Sequence, residues 1–160
     1  MGDALRELVD RSEIVDAMHA YARWVDLNRP DEQVTVFTED CRVNYGRGDD
    51  GWIHGREALR LALEDALEPF SATHHVISNV EVSFADADRA TTVSCVHAWH
   101  RFRDGQPDFT LYARYYDEWV RTPDGWRMSE RRLKASGTIA EPDGVTLEPL
   151  GRRGGRADNE

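Results

Sequence analysis

Apolar positions recur at three- and four-residue intervals in the first part of the chain and at every second residue after Pro69. Ile14, Met18, Ala22 and Val25 follow a helical period, and Asp10 with Glu13 three residues on has the form of a capping box. The spacing predicts a first helix that ends before Asn28-Arg29-Pro30, because proline disfavours helical geometry in the residue preceding it. A short second helix over 31–37 turns Val34 and Phe37 inward, and a short strand follows over 41–45. Gly46-Arg47-Gly48-Asp49-Asp50-Gly51 has the composition of a loop. Leu59, Leu63 and Leu67 then mark a third helix over 56–67. Four strands over 75–84, 90–102, 109–121 and 126–134 are rich in β-branched and aromatic residues and are separated by turn-forming segments. Helices followed by consecutive antiparallel strands predict an α+β fold, with the curved antiparallel sheet wrapped around N-terminal helices.

At 160 residues the chain has the length of one domain, expected over 1–137. Residues 138–160 lose the apolar pattern and are expected to form a mobile tail or an oligomer arm. Five Trp, five Tyr and five Phe exclude full disorder. No apolar run approaches the roughly 20 residues of a membrane span, and the acidic N-terminus lacks the order of a secretory signal, so a cytoplasmic location and no membrane partner are expected. A net charge of −10 opposes binding to phosphate backbones, so no nucleic-acid partner is expected. Cys41 and Cys95 form no CxxC pair and read as free thiols.

The candidate chemistry lies in ionisable residues within apolar segments. Asp26 closes the first helix five residues after Tyr21, and Tyr45 ends the short strand. His75 shares a strand face with Ile77 and Asn79, while its neighbour His74 points the other way. His97 alternates with His100, and alternation alone does not decide which faces inward. Tyr112 and Arg114 occupy one face of the next strand, where Arg114 either clamps a substrate anion or pairs with Glu118 or Glu130 in solvent. Arg131, Arg132 and Lys134 read as a solvated basic edge. A metal centre needs three or four convergent ligands, and nothing in the spacing of His75, His97 and Asp26 joins them, so no metal is expected.

Five segments in order, EIVDAMHAYARWVD, VFTEDCRVNY, GREALRLAL, THHVISNVEV and RYYDEWVRTPDGWRMSERRL, cover about residues 12–134. Together they resemble the SnoaL-like branch of the nuclear-transport-factor-2-like superfamily of cone-shaped α+β barrels. The nearest resemblance within it is to scytalone dehydratase, bile-acid 7α-dehydratase and hexachlorocyclohexane dehydrochlorinase, which eliminate water or HCl with an Asp–His dyad. It implies that Asp26 and His75 form that dyad, with Tyr21 as the third catalytic group. It also implies a substrate pocket that draws on Tyr45 and on His97 or His100, and the residue reading adds Tyr112 and Arg114. The implied protein is a cofactor-independent lyase acting on a small apolar cyclic molecule and assembled as a homotrimer or homodimer. Two other outcomes keep the fold: an isomerase or cyclase using the same pocket, or a non-catalytic ligand-binding or scaffold subunit like the small subunit of ring-hydroxylating dioxygenases.

Overall fold

A computed structural model describes residues 2–140 and 147–150. Helix α1 (Gly2–Asp26) buries Ile14, Met18, Ala22 and Val25, and Asn28 in left-handed geometry (φ 52°) ends it. Helix α2 (Pro30–Gln33) is a single turn, starts on its proline and passes into a 3₁₀ turn over Val34–Val36. Helix α3 (Arg56–Leu67) matches its predicted bounds and buries Leu59 and Leu63.

The strands are β1 (Phe37–Asn44), β2 (Ile53–His54), β3 (Phe70–Phe84), β4 (Arg89–Phe102), β5 (Phe109–Thr122) and β6 (Gly125–Ile139). They form one six-stranded sheet in the order β2-β1-β6-β5-β4-β3. Neighbours are antiparallel except that β1 runs parallel to β6, so the sheet is mixed rather than wholly antiparallel. The sheet does not close into a complete barrel: β2 and β3 remain its edges. Bulges in β3 and between β5 and β6 bend it into a cone, with the three helices against its concave side. Strand β5 shows the alternation plainly: Leu111, Ala113, Tyr115, Asp117 and Trp119 point inward, whereas Tyr112, Arg114 and Glu118 point outward.

The structure corrects several local expectations: the second helix ends at Gln33, and the first strand spans Phe37–Asn44 rather than 41–45. Asp10 does not cap a helix, because α1 already runs through it. Its buried carboxylate instead accepts hydrogen bonds from Arg121 (2.6 Å) and Trp126 Nε1 (3.1 Å), tying the helix to the far end of the sheet. Asn79 leaves the face of His75 and Ile77, because the β3 bulge puts it at φ 50° and in solvent. Of the predicted tail, 147–150 returns to the domain, where Glu148 bonds to the backbone of Gly46 and Ala135 and pairs with Arg132 and Lys134. Residues 141–146 and 151–160 lie outside the described residues. Among the described residues no helix is long and apolar enough to cross a membrane, and both cysteines are free.

Candidate active site

The concave side encloses a cavity of about 330 Å³, near the lower end of the ~300–1,000 Å³ typical of small-molecule sites. Helices α1 and α3 supply apolar walls with Val25, Leu63 and Ala66, and the sheet supplies Ala98, Phe109 and Leu111. Into this lining project Tyr21, Gln33, Tyr45, His75, His100 and Tyr115.

Asp26 sits at the C-terminal end of α1, where the helix dipole disfavours an anion. Three donors from β3 oppose that. Thr73 Oγ1 donates to Oδ1 (2.9 Å), the His75 backbone N–H donates to Oδ2 (2.9 Å), and His75 Nδ1 lies 2.8 Å from Oδ1. Burial works to raise the carboxyl's pKa, but the bonds from His75 and Thr73 more than offset it and hold it below its ordinary value. Asp26 is therefore an acceptor at neutral pH, and the His75 tautomer that donates to it carries its proton on Nδ1, with Nε2 as the acceptor nitrogen. The pair bridges the wall of the cone. Asp26 lines clefts outside it, whereas His75, its side chain only 9% exposed, also lines the cavity. His74 is exposed, 3.9 Å from Asp26.

The Tyr21 and Tyr45 hydroxyls are 2.8 Å apart. The Tyr45 and Tyr115 phenols are pushed well above their ordinary pKa, chiefly by burial and then by the neighbouring Tyr21, so both stay neutral donors. Beneath them is a group the sequence reading misplaced. Arg131 is wholly buried rather than part of a solvated edge, and forms a two-point ion pair with Asp117 at 2.8 and 2.9 Å. Its guanidinium carbon lies 4.4 Å from the Tyr21 ring centroid and 3.9 Å from that of Tyr115. Asp117 is held in turn by Thr92, and Thr92 by Trp119 Nε1. The extra residue of the bulge near Ser129 switches the face of β6, which puts Arg131 in register with Leu133. The inward parity of Leu133 was the available signal for it.

His100, not His97, faces inward, with Val96 and Ala98. It packs between Phe70 and Phe109, with its ring centroid 5.4 Å from that of His75. Burial, aided by the nearby His75, depresses its pKa from 6.5 to about 4, so it is neutral in the physiological range. Three expected pocket residues lie elsewhere. His97 and Tyr112 stack on each other at 4.7 Å on the outer face, and Arg114 is exposed on that same face. The period-two pleat carries both of these β5 residues away from the cavity, and the position they were expected to fill is taken by Tyr115. Gln33, Arg47 and Tyr115 are among the cavity residues that sequence reasoning passed over; a glutamine in a one-turn helix carries no periodic signal. Among the described residues, no group of three or more His, Cys, Asp or Glu side chains converges on a point that suits a metal ion.

The sequence matches the SnoaL-like domain family over residues 6–132. A crystal structure from Novosphingobium aromaticivorans, described provisionally as a scytalone dehydratase, superposes with a TM-score of 0.87 at 31% identity, covering 96% of this chain and all of that one. A hexachlorocyclohexane dehydrochlorinase from Novosphingobium barchaimii shares the fold at a TM-score of 0.75 and 19% identity, over 92% of this chain and 99% of its own. An uncharacterized Mycobacterium tuberculosis protein is 32% identical over 130 residues, 80% of this chain and 86% of that protein.

Proposed function

The chain belongs to the SnoaL-like domain family of the nuclear-transport-factor-2-like superfamily, and on that footing we propose that it is a cofactor-independent lyase that eliminates water from a small apolar cyclic molecule. The observation that supports this reading is the Asp26–His75 contact at 2.8 Å, made through Nδ1 of a histidine that lines a cavity with mostly apolar walls.

In this mechanism His75 Nε2 removes a proton from the carbon beside a carbonyl, and the electron pair of that C–H bond forms the new double bond as the β C–O bond breaks. The departing hydroxide takes the proton held by His75 and leaves as water, so no other reactant is consumed. Asp26 stabilises the imidazolium formed in between. Tyr21, supported by Tyr45, donates a hydrogen bond to the oxygen on which charge develops. The similarity to the provisional scytalone dehydratase supports elimination over isomerisation. A scaffold subunit would be expected to fill its cone, so an open cavity of about 330 Å³ favours the enzyme reading.

The test is conversion of 3-hydroxy-1-tetralone, a cyclic β-hydroxy ketone, to 1-naphthol, followed by fluorescence. The wild type should accelerate it, and His75→Ala should lose at least ~10²-fold. A variant that keeps wild-type turnover would remove His75 from the mechanism. Formation of an isomer in place of naphthol and water would replace elimination with isomerisation.

A further inference from the structure

Gln33 is fully buried, and neither its Oε1 nor its Nε2 has a hydrogen-bond partner. It is the one polar residue that α2 and α3 contribute to the cavity lining, set among Leu63, Ala66 and Leu67. The backbone around it is well satisfied: its own N–H donates to Arg29, and the one-turn helix starts on Pro30. The unmet groups are thus confined to the side chain. An unpaired amide is costly to bury, and an apolar side chain of similar size would pack there without that penalty. Such a group is explained when something entering the cavity completes its hydrogen bonds.

We propose that the Gln33 carboxamide is the recognition handle for an uncharged ligand edge that presents a hydrogen-bond acceptor next to a donor. The primary amide dictates this class. Nε2 donates to a carbonyl oxygen while Oε1 accepts from an adjacent hydroxyl or N–H, giving a two-point match that a hydrocarbon ring cannot make. An uncharged edge suits Gln33, which carries no charge itself, and the one Lys or Arg side chain of the cavity lining, Arg47, is exposed to solvent, whereas Gln33 is fully buried. The ligand class is therefore an apolar ring compound with a neutral carbonyl flanked by a hydroxyl or N–H. This inference rests on the cone being a small-molecule site, but not on any reaction taking place there.

The test uses three unreactive probes of matched shape: the lactam 3,4-dihydro-2(1H)-quinolinone, the ketone 2-tetralone and the hydrocarbon tetralin. Binding to the wild type and to Gln33→Leu is followed by tryptophan fluorescence, alongside thermal denaturation. The wild type should rank lactam over ketone over tetralin, with the lactam roughly 10- to 100-fold tighter than tetralin, on the order of one tenfold step per hydrogen bond. Gln33→Leu should bring lactam affinity down to that of tetralin, leave tetralin unchanged and not lower the melting temperature. His75→Ala should preserve the ranking, so that a failed elimination assay and a failed handle are told apart. Equal binding of the three probes to the wild type, binding of none, or a Gln33→Leu protein that is less stable but still ranks them would each overturn the proposal.

Discussion

His75 bonds to Asp26 twice, through its backbone N–H to one carboxylate oxygen (2.9 Å) and through ring Nδ1 to the other (2.8 Å). The carboxylate therefore fixes the strand and the side chain together, and the imidazole has little freedom to rotate away. Asp26→Asn keeps the shape but supplies an N–H where an acceptor is needed, so turnover should fall ~10²–10⁴-fold with little loss of fold. Asp26→Ala should in addition lose about 1–3 kcal/mol in urea denaturation, because the His75 N–H and the Thr73 hydroxyl lose their acceptor. Full activity in the Asn variant would refute the orienting role.

The phenol pair gives a graded expectation. Tyr21→Phe should lower kcat by about 10²-fold, as removal of an oxyanion donor does, whereas Tyr45→Phe removes only its 2.8 Å partner and should cost about tenfold. Steady-state kinetics on the tetralone substrate decide it. Equal effects, or effects on KM alone, would place both hydroxyls in binding rather than in catalysis.

Arg131 and Asp117 are both fully buried, so removing either one strands the other. Arg131→Met should destabilise the protein by about 3–5 kcal/mol, and Arg131→Met with Asp117→Leu should regain much of that. Thermal and chemical denaturation of the two variants measure it. A single variant as stable as the wild type would show that the pair contributes nothing to the base of the cone.

The pH dependence follows from His100. Its pKa falls from 6.5 to about 4 on folding, so between those values the unfolded chain binds a proton that the folded chain refuses. The stability linked to this group is complete above about pH 6.5, declines as pH falls, and is gone below about pH 4. At ~1.4 kcal/mol per pH unit, the change is roughly 3 kcal/mol. His100→Phe should flatten that part of the stability–pH curve relative to the wild type. Parallel curves for the two proteins would show that His100 is not held neutral.

His97→Ala, Tyr112→Ala and Arg114→Ala act on the outer face and should each leave kcat/KM within about twofold and stability within about 0.5 kcal/mol. A large loss of turnover in any of them would bring that face back into the function.

Most of the element order, the bounds of α3, the four long strands and the end of α1 before Pro30 were legible in the sequence, because they follow from local periodicity and backbone sterics, whereas the two-residue strand β2 carries no such signal. The sequence also singled out Asp26 and His75 through the family resemblance. Which side of each strand meets the cavity was decided by the tertiary structure. In β4 both faces carry apolar residues, so His97 and His100 could not be separated until the concave side was known. In β3 and β6 a bulge inserts a residue and shifts the alternation, which exposes Asn79 and buries Arg131. The meeting of a carboxylate and an imidazole 49 positions apart, and the burial of Gln33 with neither side-chain polar atom paired, depend on how the helices seat against a curved sheet. Local sequence patterns encode conformation along the chain, but the curvature that brings distant side chains together is a sum over the whole sheet.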